Sequence, residues 1–340
     1  LEAFVKLAPA ERRVFFETAA SKIGIIPTIA EKDFWVCWTL KILFGMSDVN
    51  KQLIFKGGTS LSKVYQVIER FSEDIDISID KAYLGFGDLH DPEKMTSRKQ
   101  KEKAIESLAA ACSDYVCTRL QADLKEIIAG SLTESAWDLL IDPNDSDKQT
   151  LLFYYPKSMA DSSSIYIEQA VKIEIGARSD HWPIETRILR SIVAEQIPQS
   201  ISNPSVEVRV LTAKRSFWEK ATILHMYAYF PESKLVPTRQ SRHYYDFFRL
   251  LNSPYKAEAV NDLRLLDRVA EHKGIYFRAG WANYHLAKKG SLRLLPAARV
   301  HIEMKRDYLA MGEMFFGQVP KWDDIIATIE SFEKEFNSCV

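Results

Sequence analysis

A glycine pair set between two short apolar strands constrains this chain more than any other feature. Phe55-Lys56-Gly57-Gly58-Thr59-Ser60 is followed by Arg70-Phe71-Ser72-Glu73-Asp74-Ile75-Asp76-Ile77-Ser78. The run predicts a strand, a glycine turn, a short helix and a second strand. Strand side chains return to the same face every second residue. Asp74 and Asp76 therefore project side by side, with Ile75, Ile77 and Ile79 on the opposite face. Two adjacent carboxylates repel unless a cation lies between them, and a divalent ion is the common solution. Backbone N–H groups at a glycine turn that opens a helix suit an anion such as phosphate. Metal and phosphate sites joined by one strand–helix–strand unit point to chemistry on a nucleoside triphosphate. The bland alternative is the solvent face of an edge strand. Acidic residues are depleted in strands, and the upstream glycines favour the metal reading.

The chain has 340 residues, 45 Lys and Arg against 46 Asp and Glu, and a formal net charge of −1. That length leaves room for about two domains. The charge balance excludes binding of nucleic acid by the protein's overall field, so any such contact must be a local patch. No apolar run approaches the roughly 20 residues that span a bilayer, so no membrane association is expected. Cys37, Cys112, Cys117 and Cys339 show neither a disulfide framework nor zinc-ligand spacing, which suits a reducing, cytoplasmic setting. The opening Leu1-Glu2-Ala3-Phe4 lacks an initiator Met and a signal pattern, and reads as a cut boundary.

Two helices are expected over residues 9–45, the second from about Ile29 to Phe44. A strand follows at Leu53–Phe55. The stripe Leu61, Val64, Tyr65, Ile68 predicts a helix packed on a sheet. Residues 80–97 read as a loop, Arg98 to about Ile128 as a long helix, and Asp142–Lys148 as a polar turn. Leu151–Tyr155 and Ile165–Ile175 read as strands separated by a Ser-rich turn, and Val206–Leu211 as another. Beyond Lys214 the pattern is helical, with breaks near Pro231, Pro237, Pro254, Gly274 and Gly290. The expected organisation is a mixed α/β domain over 1–213 and a helical domain over 214–340.

Four further segments carry candidate chemistry. In Lys172-Ile173-Glu174-Ile175, Glu174 would become a third carboxylate beside the aspartates if its strand neighbours theirs, and Lys172 would neutralise a carboxylate or phosphate. A plain amphipathic strand explains the same pattern. In Lys214-Arg215-Ser216-Phe217-Trp218-Glu219-Lys220, Ser216 and Glu219 read as a capping box. Lys220 is left over, either a solvated helix lysine or a point charge for a triphosphate. Arg239-Gln240-Ser241-Arg242-His243-Tyr244-Tyr245-Asp246 interleaves cations with rings that would stack on RNA bases. Two readings stand for its Asp246: an ion-pair partner of Arg242, or a base or organising carboxylate in the active site. Glu31-Lys32-Asp33-Phe34-Trp35-Val36 reads as a helix start, with Lys32 a weaker site candidate. No H-E-x-x-H, Walker A or Gly-x-Ser-x-Gly pattern occurs.

Taken together, these motifs resemble the AbiEii/AbiGii toxin family, a branch of the DNA polymerase β-like nucleotidyltransferase superfamily, and are similar to its MenT-type tRNA nucleotidyltransferase toxins. The resemblance rests on Lys56-Gly57-Gly58-Thr59-Ser60-Leu61, Arg70 to Asp76, Lys172-x-Glu174, Arg215-x-Phe217-Trp218-Glu219-Lys220 and Ser241 to Asp246, with Glu31 to Val36 as a further shared segment. It implies an α+β nucleotidyltransferase domain with a small mixed sheet, closed over by a helical C-terminal domain. It implies that Lys56, Gly57, Gly58, Thr59 and Ser60 bind the triphosphate. Magnesium, with manganese as alternative, would bind to Asp74 and Asp76, with Glu174 as a further ligand. Catalytic roles are implied for Lys172, Glu174, Lys220 and Asp246. The superfamily's third motif spaces Ser and Lys more widely than Ser216 and Lys220, which leaves Lys220 as the candidate there. The implied function is a toxin that moves a nucleoside monophosphate from NTP to RNA, at the tRNA 3′ acceptor end, opposed by a cognate antitoxin. Two alternatives are a protein nucleotidyltransferase, separated by the labelled acceptor, and an NTP-binding toxin, separated by the absence of pyrophosphate release.

Overall fold

The structure is a computed structural model and describes residues 1–72, 74–132, 136–159, 169–315 and 317–338. Glu73, the Ser-rich turn, residues 165–168 of an expected strand and Cys339 lie outside the described residues. The chain divides into two units, Leu1–Val64 with Ser72–Val210, and Tyr65–Phe71 with Leu211–Val340. The boundary expected from sequence falls after residue 213.

The first unit opens with α1 (Pro9–Ile23) and α2 (Pro27–Gly45). Proline suits each first turn, because its φ is already helical and the missing N–H has no partner there anyway. α2 is buried nearly all round from Thr28 to Leu40, the charged Glu31, Lys32 and Asp33 included. Its Trp35 stacks on Tyr155 at 5.5 Å and its Trp38 on Phe153 at 5.6 Å between ring centroids. Next come β1 (Leu53–Lys56), α3 (Gly57–Lys63) and β2 (Ile75–Ile79). The long helical stretch is α4 (Arg98–Tyr115), a π-helical turn at Val116–Leu120, and α5 (Gln121–Ser131). β3 (Asp138–Ile141), β4 (Thr150–Tyr154), β5 (Val171–Gly176), β6 (Ile184–Leu189), α6 (Ile192–Gln196) and β7 (Val206–Leu211) complete the unit.

The strands form one sheet in the order β3-β4-β5-β2-β1-β7-β6. β1 is antiparallel to β2 and parallel to β7, while β2 is parallel to β5. β4 is antiparallel to both β3 and β5. The sheet is therefore mixed, with β2 and β1 at its centre. β3 and β6, absent from the sequence reading, are its two edges. Short, charged, half-exposed edge strands blunt unwanted pairing, and their composition is close to that of a loop.

The helix expected through Leu61, Val64, Tyr65 and Ile68 ends at Lys63. Gln66 takes a left-handed φ of 51°, and the Tyr65 hydroxyl donates to the Leu211 carbonyl at 2.9 Å. Tyr65 to Phe71 thus belong to the helical unit. That unit contains α7 (Ala213–Ala228), α8 (Arg242–Leu251), α9 (Tyr255–Val260), α10 (Leu263–Tyr276), α11 (Ala298–Ala310) and α12 (Trp322–Ser338). α10 runs straight through Gly274. Ser216 is no cap, because α7 starts at Ala213 after Thr212, and Glu219 pairs instead with Arg215 at 3.1 Å. Phe217 packs on Phe247 and Phe332, and Trp218 on Phe336, forming this unit's aromatic core.

Candidate active site

Strand register builds the first cluster. β1 sets Lys56 opposite Asp76, β5 sets Glu174 beside Asp76, and β4 sets Thr150 opposite Glu174. Register partners share a face, so Lys56, Asp76, Glu174 and Thr150 form a row across the centre of the sheet. Their neighbours Phe55, Ile75, Ile77, Ile173 and Ile175 are buried on the other face. Asp74 stands one residue before β2. Its charge helps raise the pKa of Lys172, which locates that carboxylate near the same row. Burial opposes the charge on Lys172, but a hydrogen bond from Lys172 to Glu174, the charge of Glu174 and then Asp74 and Asp142 outweigh it.

Asp76 is pressed onto the glycine turn. Gly57 has a φ of +81°, and a Cβ placed on it would fall 1.8 Å from Asp76 Oδ2. Only glycine fits, both for its left-handed backbone and for the carboxylate lying against its Cα. Lys56 Nζ lies 4.0 Å from Asp76 Oδ1. The hydroxyls of Thr59 and Ser60, expected to bind triphosphate, donate inward: Thr59 to the Asp74 carbonyl at 2.6 Å, Ser60 to the Gly57 carbonyl at 2.8 Å. They brace the turn and the approach to β2, which leaves backbone N–H groups and Lys56 to meet an anion.

Magnesium takes one or two carboxylates and completes its octahedron with water and substrate phosphates. Asp74 and Asp76 fit that requirement. Among the described residues no three His, Cys, Asp or Glu side chains gather closely enough to hold an ion by themselves. Glu174 instead places Oε1 2.8 Å from Lys172 Nζ. A cavity of about 380 Å³ beside this pair is lined by Asp142, Asp145, Asp147, Gln149, Lys172 and Glu174. Its acidic wall would repel a polyphosphate, so the side toward Lys56 and Gly57 is electrostatically the better one.

Two further contacts position this cluster. His181 Nε2 lies 2.8 Å from Ser78 Oγ, two residues along β2 from Asp76. Burial lowers its pKa to about 4, so it is neutral at pH 7. Asp33 accepts from Lys63 Nζ at 2.6 Å and from the Ile192 N–H at 2.6 Å. Burial opposes the charge on Lys63, yet Asp33 raises its pKa overall. Glu31 accepts from the Ser158 N–H at 2.6 Å, and Lys32 is 2% exposed. The Glu31–Asp33 segment thus anchors the end of α3 and the backbone near Ser158.

The second cluster lies wholly within the helical unit. Asp246 is fully buried. Its Oδ1 accepts from Arg70 Nε at 2.7 Å, and its Oδ2 accepts from Arg70 Nη2 at 2.8 Å and from Lys220 Nζ at 2.7 Å. Burial pushes the Asp246 pKa up, but Arg70 and Lys220 more than reverse this and hold it far below the ordinary carboxylate range. A carboxylate so tightly held is an organising group and a poor base. Its partners are Arg70 and Lys220, where the sequence reading named Arg242. Burial lowers the pKa of Lys220, and Asp246 only partly restores it. Lys220 also lies 3.1 Å from His243 Nδ1. The rings of this segment are core: Tyr244, Tyr245 and Phe247 are at most 1% exposed, which removes them as a stacking platform for bases.

Sequence reasoning missed Arg70, His181 and His243 as members of these clusters. Arg70 and His243 stood inside quoted motifs without a role, and His181 carries no motif signal.

The sheet unit carries two acids beside a glycine turn, and the helical unit carries a buried Lys–Asp–Arg network; the class of protein, a nucleotidyltransferase, is given by the family match. Residues 41–328 match the nucleotidyl transferase AbiEii toxin family of type IV toxin–antitoxin systems, and the chain belongs to that family. Among solved structures it is similar to MenT4, a nucleotidyltransferase toxin from Mycobacterium tuberculosis H37Rv, with 16% identity, a TM-score of 0.52 and coverage of 98% of this chain and 90% of that one. JHP933 from Helicobacter pylori is also similar, at 12% identity and a TM-score of 0.41, with 91% of this chain and 92% of that one covered. No curated protein matches in sequence. Among the described residues no helix is long and apolar enough to cross a membrane.

Proposed function

We propose that this toxin transfers a nucleoside monophosphate from NTP to an RNA hydroxyl, and that the RNA is tRNA at its 3′ acceptor end. The observation that carries the reading is the Asp76 carboxylate seated on Gly57, with Asp74 two residues ahead of it. Catalytic acids and a polyphosphate turn in direct contact are what nucleotidyl transfer requires. Membership of the AbiEii family adds the toxin role.

Asp74 and Asp76 are the residues that would hold magnesium, with manganese as a substitute. When bound, the ion stabilises charge on the attacking and leaving oxygens. The bond from the RNA oxygen to the α-phosphorus forms as the α–β bridging bond breaks; the hydroxyl proton passes to water and pyrophosphate leaves. Gly57 and Gly58 let the backbone approach the β- and γ-phosphates closely. Lys56, beside Asp76, offsets phosphate charge. Lys172 is kept charged by Glu174 on the same strand. Lys220 supplies a cation for the departing pyrophosphate, and Asp246, itself fixed by Arg70, holds it in place. Residues 1–213 carry the transfer chemistry and 214–340 form the helical domain of this reading. Added nucleotides at the acceptor end would prevent aminoacylation and stop translation in the bacterial cytoplasm, and a cognate antitoxin would counter this.

The test is to incubate the purified protein with total RNA or total protein and each α-labelled nucleotide. The expected result is label on RNA of tRNA size, dependent on a divalent ion and absent from Asp76→Ala. Label on protein alone, or nucleotide binding with no pyrophosphate released, would overturn the reading.

A further inference from the structure

We propose that His243 is a positioning residue for Lys220: its Nδ1 accepts a hydrogen bond from the ammonium and, with Asp246, fixes two of the three Lys220 N–H groups so that the third is presented to a substrate phosphate. The inference deepens the nucleotidyl-transfer reading and rests on it for the identity of that anion.

The geometry lies entirely within the helical unit. Lys220 Nζ is 3.1 Å from His243 Nδ1 and 2.7 Å from Asp246 Oδ2. These are its two polar partners among the described residues, and its side chain is 11% exposed. An ammonium has three donors and no acceptor, so one N–H is left uncommitted. A lysine on a four-carbon stem is otherwise a mobile point charge. Two acceptors at fixed angles convert it into a directed donor before substrate arrives, which is what pre-organised electrostatic stabilisation needs.

The direction of the His243 bond is set by charge. Nδ1 can accept only in the neutral ring, with the proton on Nε2. Among the described residues, the charged groups that act most on His243 are Lys220 from α7, Arg242 and Asp246 from α8, and Arg70 from the segment before β2. Three are cations and one is an anion that Arg70 already binds through both oxygens. Burial, then Lys220 and Arg242, lower the His243 pKa well below its ordinary value. The ring therefore stays neutral at physiological pH and serves as an acceptor. The Lys220 ammonium itself, buried beside the guanidinium of Arg70, is what an anionic ligand would meet.

The experiment compares wild type, His243→Leu, which removes the acceptor, and His243→Asn, whose side-chain oxygen can take the place of Nδ1. Lys220 is followed in the full-length protein by its ¹³Cε resonance in a pH titration without substrate, assigned with Lys220→Arg. Rates are then measured with total RNA, MgCl₂ and ATP, GTP, CTP or UTP. The proposal expects the Lys220 titration to move further down in His243→Leu and to stay at the wild-type position in His243→Asn. It expects kcat in His243→Leu to fall about tenfold, the scale of one lost hydrogen bond to a charged group, with a smaller change in KM, and His243→Asn to restore it. Identical Lys220 titrations in all three proteins would overturn the proposal, as would equal impairment in Leu and Asn variants that melt like wild type. A wild type that transfers none of the four nucleotides would refute the activity instead, while the titration still decides the positioning role.

Discussion

Replacing Gly57 by alanine is the most direct physical test of the candidate site. A Cβ at this position would sit 1.8 Å from Asp76 Oδ2 and 2.5 Å from its Cγ, where ordinary contact begins at 3.4 Å. The carboxylate must therefore retreat by more than 1 Å. The backbone must also keep a φ of +81°, which costs an L-residue about 1–2 kcal/mol. Misplacement of a catalytic group by about 1 Å is enough to lose roughly 100-fold in rate. Gly57→Ala should thus unfold in urea with a stability lower by about 1–2 kcal/mol and remain folded, while label transfer to RNA falls about 100-fold. The matched control is Gly176→Ala on β5, in the neighbouring strand, where a Cβ meets nothing within 4 Å. A Gly57→Ala protein with wild-type transfer would show that the seating of Asp76 on the turn has no part in catalysis.

Other consequences follow from the two clusters. Asp74→Ala and Asp76→Ala should each abolish transfer while the protein stays folded; label transfer by either variant would remove it from the metal site. Lys220→Ala should lower kcat much more than it raises KM for NTP, and unchanged turnover would return Lys220 to a structural role. Asp246→Asn should cost about 3–5 kcal/mol in urea denaturation, because it leaves two buried cations without their carboxylate; a loss under about 1 kcal/mol would contradict the buried network. The pH dependence has a definite sign. The Asp246 pKa is depressed on folding, so its contribution is present above about pH 4, the ordinary carboxylate value. It is lost as pH falls from there through the lower folded value. The stability gap between wild type and Asp246→Asn should accordingly narrow as pH falls below about 4.

The centre of the sheet was legible because its determinants are local. Alternating isoleucines and aspartates fix which face of β2 is polar, and the paired glycines mark a turn whatever surrounds them. The approach from Lys172-Ile173-Glu174 to Asp76 was conditional on strand order, which no local pattern states; the parallel β2–β5 register supplies it. β6 has the alternation of a strand in Ile184, Thr186 and Ile188, but Glu185 and Arg187 between them pair with each other at 2.9 Å and give the segment the composition of a loop. The stripe from Leu61 to Ile68 fits a helix at every apolar position, yet the chain turns at Gln66 because Tyr65 is claimed by the helical unit. Tertiary bonding of that kind overrides periodicity and leaves no mark in the pattern.

The aromatic run at Tyr244 to Phe248 shows why composition misled where topology did not. Rings interleaved with cations suit RNA on an exposed surface, and suit equally a helix whose one face is core. α8 is the second case: Tyr244 and Phe247 are buried, while Arg249, on the other side, donates to the Val67 carbonyl and to both oxygens of Glu69. Tyr245 is no stacking platform either, at 1% exposure, and its hydroxyl accepts from the Glu69 N–H at 3.1 Å. With Asp246 on Arg70, three residues of one helix hold the segment Val67–Arg70, which in sequence leads straight to Asp74. The motif around Asp246 and the motif around Asp74 are 170 or so residues apart in the chain, and no local reading of either reveals that one anchors the residues immediately upstream of the other. Asp246 is thereby an organising residue for both Lys220 and Arg70. A base in its place would need a free lone pair and a raised proton affinity, and its three charge-assisted hydrogen bonds deny it both.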